Sequence, residues 1–320
     1  MKLVTFEHGV GEARLGAIVE GGVLDLSASG EPAFAAMLAL IQAGPGAWAV
    51  ARARIERRSG PIHALAECRL RAPLPRPEQI RDSMSFHQHI KQASFAIARR
   101  MAREAGKPGA AEGYVQSFVL PKIHSEQPVY YKANRFSIAG PDEVIPRPAY
   151  SRMMDFELEI AAVIGIGGRD IARENALDHV FGLMIFNDFS ARDAQAHEMQ
   201  GNLGPAKGKD FDKANAFGPW LVTLDEIVDP YALRMQARVN GETWCDNSSR
   251  TMHWRFEDLI AHISQGETLH PGEVIGSGTV GDGCGLEHER YLADGDLVEL
   301  EVEALGMLRN RVVASRPAFV

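Results

Sequence analysis

The chain has 320 residues, 45% of them hydrophobic, with 34 basic against 42 acidic side chains and a formal net charge of −8. That length and apolar content can bury one large core or two unequal ones, and the negative balance argues against nucleic acid or an anionic membrane surface as a partner. No run approaches the roughly 20 apolar residues of a membrane helix. The N-terminus has no signal-like apolar stretch, and Cys68, Cys245 and Cys284 are widely spaced without a C-x-x-C, which predicts packing thiols in a reducing, cytoplasmic setting.

Residues 2–7, 16–20 and 23–26 read as short strands around a Gly21-Gly22 turn. Residues 31–58 have helical composition interrupted by Gly44-Pro45-Gly46. The proline-marked stretch 70–80 predicts a boundary between a small β-rich N-terminal domain, 1–72, and a main domain, 73–320. Residues 86–105 read as a helix closed by Gly106-Lys107-Pro108. Strands are then expected at 118–120, 129–131, 157–164, 183–186, 220–223, 233–239 and 297–304, with short helices at 178–183 and 256–265. Strands outnumber helices without alternating with them, so the expected class is α+β, mainly β.

The segment M-M-D-F-E-L-E-I-A-A-V-I-G, residues 153–165, places Asp155, Glu157 and Glu159 on alternate positions. In an extended chain their carboxylates share one face, and the apolar run that follows marks a buried strand. Negative charges entering an interior together call for a cation, and hard carboxylate oxygens suit Mg²⁺, Mn²⁺ or Ca²⁺ better than zinc. The solvated face of an amphipathic strand has the same alternation, so this segment alone leaves both readings open.

Four further segments carry chemistry. In F-N-D-F-S-A-R-D-A-Q, Asp188 stands at the end of an apolar strand, Ser190 can cap a helix, and Arg192 and Gln195 are three apart on one helical face. Residues 203–213, L-G-P-A-K-G-K-D-F-D-K, form a loop able to hold the Lys209 ammonium against developing negative charge, or simply a solvated charged loop. In I-R-D-S-M-S-F-H-Q-H-I-K-Q, Asp82 and His89 lie seven apart, and His89 is a candidate general base because its ordinary pKa of ~6.5 suits proton transfer near neutrality. His87 and His89 lack a third zinc ligand at zinc-like spacing. The glycine-rich G-S-G-T-V-G-D-G-C-G, 276–285, lets backbone approach a ligand closely or turns tightly between strands; it has no G-x-x-x-x-G-K-[ST], which leaves phosphate binding a weak reading.

In order and spacing these segments together resemble the fumarylacetoacetate hydrolase family across roughly residues 72–305. The resemblance implies that family's mixed β-roll, with metal ligands at Glu157, Glu159 and Asp188 and an additional carboxylate ligand at Asp82. It implies a catalytic His89 paired with Glu287. Arg192, Gln195 and Lys209 are implied in substrate binding and charge stabilisation, Thr279 and Tyr131 in substrate contact, and Asp155 outside the ligand set. It further implies a divalent metal, Mg²⁺ or Mn²⁺ with Ca²⁺ as an option, a small keto-acid substrate and a homodimer. Two positions depart from the pattern. Gln92 stands where acylpyruvase-like members carry a glutamate, which favours the His89–Glu287 pair; Met84 replaces a tyrosine substrate contact of the fumarylacetoacetases. The long 86–114 segment exceeds that of most short members. The expected activity is metal-dependent hydrolysis of a carbon–carbon bond in a 2,4-diketo acid. Decarboxylation, hydration or isomerisation of a related keto acid is the alternative, and a non-catalytic metabolite-binding module the distant one.

Overall fold

The computed structural model describes residues 1–9 and 11–315. The chain begins with strands β1 (Lys2–His8), β2 (Arg14–Val19) and β3 (Gly22–Asp25), then helix α1 (Met37–Glu56). The expected breaker is a kink within α1, where Gly44 takes φ +77° just before Pro45. Next come β4 (Ile80–Ser83), three helices α2 (His87–Glu104), α3 (Ala110–Ser117) and α4 (Ile123–Glu126), and strands β5 (Tyr130–Ala133) and β6 (Val144–Arg147). β7 (Leu158–Ile164), β8 (Val180–Asp188), α5 (Arg192–Glu198) and β9 (Asn215–Thr223) follow. The chain continues through β10 (Arg234–Val239), β11 (Glu242–Ser248), α6 (Phe256–Ser264), β12 (Val274–Gly276), β13 (Leu297–Val302) and β14 (Gly306–Ala314).

The fold is α+β with two main sheets. The larger has the order β3-β2-β1-β9-β8-β7-β12-β4-β5, and the smaller β11-β10-β13-β14-β6. β7 is buried on both faces. Ile160, Ala162 and Ile164 pack toward the smaller sheet and α6, while Ala161 and Val163 pack toward α1 and the N-terminal strands. β1 pairs with β9, Lys2 facing Val222, so the N-terminal strands extend the large sheet and share its core. Among the described residues no helix is long and apolar enough to cross a membrane.

Strand direction builds the site. β7 is antiparallel to both β8 and β12, and β12 is parallel to β4. The start of β7 therefore lies beside the ends of β8, β12 and β4, with Leu158 opposite Asn187 and Gly276 opposite Asp82.

Three local expectations need correction. Residues 118–120 form no strand; they link α3 to α4, with Phe118 edge-on to Phe95 at 5.3 Å. Residues 178–183 are not a helix but close a 3-10 stretch, Arg173–His179, and begin β8, because that apolar run is buried between β7 and β9. Ser190 does not cap α5: its hydroxyl donates to the Asp188 carbonyl at 3.0 Å.

Candidate active site and metal centre

Glu157 and Glu159 precede and enter β7, Asp188 ends β8, and Asp82 stands on β4. One oxygen from each of these four buried carboxylates lies within 4.8 Å of the others. The alternation of Glu157 and Glu159 thus does aim them at one face. Asp155 does not continue that row, because the chain departs from regular strand at Phe156 and Glu157, and Asp155 pairs with Ser190 in a separate short ladder. Its carboxylate accepts hydrogen bonds from the backbone of Gly285 at 2.7 Å and Leu286 at 3.0 Å, and from Arg192 Nε at 2.7 Å.

The electrostatics divide the four carboxylates. Burial, reinforced by Asp82, pushes Glu159 well above the usual carboxylate range. Burial also raises Asp188, against the pull of Lys209, and raises Asp82. Glu157 goes the other way: burial opposes its charge, but Arg192 and Lys209 outweigh it and hold the carboxyl far below the ordinary value. Lys209 Nζ donates at 2.5 Å to both Glu157 Oε2 and Asp188 Oδ2, and Tyr131 donates its hydroxyl to Asp188 Oδ2 at 2.7 Å. Asp188 Oδ1 is buried without a hydrogen-bond partner among the described residues. Four convergent hard oxygens, raised protonation and an orphaned lone pair fit a hard divalent cation.

The glycine-rich segment after β12 closes over Glu159. Gly278 donates its N–H to Glu159 Oε2 at 3.1 Å, and Thr279 Oγ1 lies 3.4 Å from Oε1. Gly278 takes φ +77°, and a Cβ there would strike the Ser83 carbonyl, so glycine is required where this loop passes β4.

His89, on the first turn of α2, places Nδ1 3.1 Å from Glu287 Oε1 and Nε2 4.0 Å from Glu157 Oε1. Burial disfavours the imidazolium, yet Glu287 and then Glu157 prevail and hold His89 above its ordinary value. Glu287 Oε2 accepts the backbone N–H of Cys284 at 3.2 Å. Arg192 is consumed by three contacts: Asp155, Glu157 Oε1 at 2.7 Å through Nη2, and Gln195 Oε1 at 3.1 Å through Nη1. The structure thus brings every site residue expected from the sequence to one place.

Two sets of contacts were absent from the sequence reading. Gln88 and Gln92 both donate to Asp282, at 3.0 and 2.5 Å, and bind the first turns of α2 to the glycine-rich loop. The signal available was their i, i+4 spacing on one helical face. Cys284, fully buried beside His89 and Glu287, was visible only as a neighbour of the motif.

Residues 84–313 match the family profile described as fumarylacetoacetate (FAA) hydrolase C-terminal. The human protein named oxaloacetate tautomerase FAHD2A, mitochondrial, is 32% identical over 295 residues, covering 92% of this chain and 84% of that one. The fumarylacetoacetate hydrolase of Exiguobacterium antarcticum superposes with a TM-score of 0.75 at 28% identity, over 98% of this chain and 100% of its own. The maleylpyruvate hydrolase of Sphingobium sp. SYK-6, solved with manganese(II) and pyruvate, shares the fold with a TM-score of 0.73 at 24% identity, over 99% and 100% of the two chains.

Proposed function

The chain belongs to the fumarylacetoacetate hydrolase family, and on that premise we propose that it is a divalent-metal-dependent enzyme cleaving a carbon–carbon bond in a 2,4-diketo acid by hydrolysis. The observation that carries this reading is the buried His89–Glu287 pair, 3.1 Å apart, at the rim of the four-carboxylate cluster. Asp82, Glu157, Glu159 and Asp188 would hold Mg²⁺ or Mn²⁺, which supplies Lewis-acid polarisation of the substrate's keto oxygens.

The protein's own groups do the rest. With Nδ1 turned to Glu287, His89 presents Nε2 on the Glu157 side, where it takes a proton from water as the water oxygen bonds the distal carbonyl carbon. Glu287 stabilises the imidazolium that forms. When the carbon–carbon bond breaks, its electron pair leaves with the 2-oxo acid fragment as an enolate, and His89 returns the proton to that carbon. Lys209, already fixed between Glu157 and Asp188, opposes the developing negative charge without reorganising. Arg192 is held by Asp155 and Gln195 and keeps Glu157 ionised; Thr279 and Tyr131 border the substrate space.

A second reading, keto–enol tautomerisation of a 2-oxo dicarboxylic acid, is favoured by the relatives named oxaloacetate tautomerases, including one from Bacillus subtilis at 30% identity. There His89 would carry one proton between carbon and enol oxygen, and no water would react. The proposal includes a homodimer and a reducing, cytoplasmic compartment, the latter supported by three free cysteines.

The deciding experiment supplies Mn²⁺ to a panel of 2,4-diketo acids and to oxaloacetate, following enol absorbance together with release of a carboxylic acid fragment. Fragment release that disappears in His89→Ala supports hydrolysis. Loss of enol absorbance with no fragment from any substrate gives the reaction to the tautomerase reading, and full turnover by His89→Ala overturns both.

A further inference from the structure

Beside the carboxylate cluster lies a second donor set of different chemistry. Cys284 Sγ is 4.0 Å from His89 Nδ1 and 3.5 Å from Glu287 Oε2, while His89 Nδ1 is 3.1 Å from Glu287 Oε1. One ligand atom from each of residues 89, 284 and 287 thus lies within 4.8 Å of the others, with the nitrogen facing Oε1 and the sulfur facing Oε2 of the carboxylate. Tetrahedral zinc takes sulfur at about 2.3 Å and nitrogen or oxygen at about 2.0–2.2 Å, which places neighbouring donors about 3.3–3.6 Å apart. The nitrogen–oxygen and sulfur–oxygen separations lie within a few tenths of an ångström of that range, one to each oxygen of Glu287, so the carboxylate can meet a cation through both oxygens, and a small turn of the thiol shortens the 4.0 Å sulfur–nitrogen separation.

We propose that His89, Cys284 and Glu287 form a binding site for a thiophilic divalent cation, Zn²⁺ or Cd²⁺, distinct from the hard-cation cluster of Asp82, Glu157, Glu159 and Asp188. Binding replaces the thiol S–H bond with a metal–sulfur bond and releases that proton to solvent. The single imidazole proton, which faces Glu287 from Nδ1 in the metal-free protein, passes through solvent to Nε2, so the ring stays neutral and coordinates through Nδ1. Thiolate and carboxylate together cancel the charge of the cation, so the buried assembly is neutral, which removes the main cost of placing an ion there. A hydrogen bond from the thiol to Glu287 would by itself satisfy a buried cysteine, but it requires no third donor within metal-ligand spacing. The two sites sort cations by softness: all-oxygen donors favour Mg²⁺ and Mn²⁺, while the sulfur-containing set favours Zn²⁺ and Cd²⁺.

The consequence rests on the reading of His89 as the base. A cation on Nδ1 and Glu287 breaks the 3.1 Å pair, so the soft metal inhibits while the hard metal activates. The test uses chelator-stripped protein titrated with Co²⁺, a spectroscopic stand-in for zinc. Wild-type protein is expected to show a thiolate-to-cobalt charge-transfer band that is absent from Cys284→Ser and retained by Glu159→Gln. Calorimetry with Zn²⁺ should lose the tighter site in Cys284→Ser. Loss of a direct ligand should weaken that site by at least the roughly 10–100-fold that removal of an outer partner costs. In saturating Mn²⁺, and relative to its own zinc-free rate, Cys284→Ser should require at least tenfold more Zn²⁺ for half-inhibition. A wild-type protein without the band, or a band that persists in a Cys284→Ser protein of unchanged melting temperature, overturns the site. Equal zinc inhibition of the two proteins places the inhibitory zinc on the carboxylates and overturns the regulatory consequence. A band without inhibition keeps the site and overturns the assignment of His89 as base, so the two failures are separable.

Discussion

The carboxylate cluster and the histidine pair touch at Glu157 but are built on different supports. Asp82, Glu159 and Asp188 stand on three strands of one sheet, and Glu157 directly precedes the central one, with backbone pairing setting their separation. His89 and Glu287, 198 residues apart, come from a helix and from the 3-10 turn Leu286–His288 after the glycine-rich segment, joined mainly by side chains: the pair itself, Gln88 and Gln92 on Asp282, and Ala96 against Cys284 and Leu286. A site fixed by backbone tolerates side-chain change by losing a ligand. A site fixed by side chains can lose its geometry while every ligand remains.

The largest contrast is expected within the cluster itself. Glu159→Gln should abolish metal-dependent turnover, yet the metal-free protein should melt higher, at about 2–4 °C for each kcal/mol of repulsion removed. Glu157→Gln should also abolish turnover but lower the melting temperature, since breaking a buried pair costs as much as about 3–5 kcal/mol and this one leaves Arg192 and Lys209 short of an anion. Equal melting shifts for the two variants would contradict the division of charge described above. The pH dependence has a definite sign. Glu159 and Asp188 are raised on folding, so above the ordinary carboxylate range the folded, metal-free protein binds protons that the unfolded chain has released. Stability should therefore fall as pH rises from about 4.5 toward the raised values. Glu159→Gln, or saturating Mn²⁺, should flatten that slope in a thermal-melt series.

Removing the proposed base comes next. His89→Ala should cost on the order of 10²–10⁴-fold in kcat while Mn²⁺ affinity, read by calorimetry, stays within about threefold, because no ligand of the sheet is touched. A comparable loss of metal binding would make His89 a ligand and erase the distinction between the two regions.

A smaller loss tests the support of the pair. Gln92→Glu puts a second carboxylate against Asp282, and like charges at that distance should lift the start of α2 and lower kcat roughly tenfold, with faster amide exchange over His87–Glu104. Adding Asp282→Asn supplies an amide donor to the new glutamate and should restore most of the rate. Failure of the double variant to recover would mean that the contact is not what seats His89.

Asp155→Asn should show the smallest functional effect. It weakens the hold on Arg192 and on the backbone of Gly285 and Leu286, lowering stability by about 1–3 kcal/mol, with Mn²⁺ affinity unchanged. A large loss of metal affinity would put Asp155 among the metal ligands, against the reading above.

How much was legible differs from residue to residue. Alternation aims Glu157 and Glu159 at one face, and the structure keeps them there, because a strand has period two whatever it pairs with. The same rule misled for Asp155, since periodicity holds only while the chain stays extended, and the break at Phe156–Glu157 cannot be seen in an alternating pattern. The run at residues 178–183 was ambiguous for a related reason: a short apolar segment suits a helix or a doubly buried strand, and only its place between β7 and β9 decides. Asp282 was silent because its partners, Gln88 and Gln92, lie 194 and 190 residues away.

What the amino-acid order determined by itself was therefore local: the carboxylate row, the helix that carries His89, the glycines that allow a close turn, and the spaced motifs that mark the family. Those depend on backbone sterics and side-chain period, which act within a few residues. The family resemblance named the four carboxylates and the His89–Glu287 pair, but their convergence in space, and that Cys284 joins the pair, are produced by the antiparallel and parallel pairings of β4, β7, β8 and β12 and the docking of α2. Contacts across nearly 200 residues leave no periodic trace in the chain that makes them.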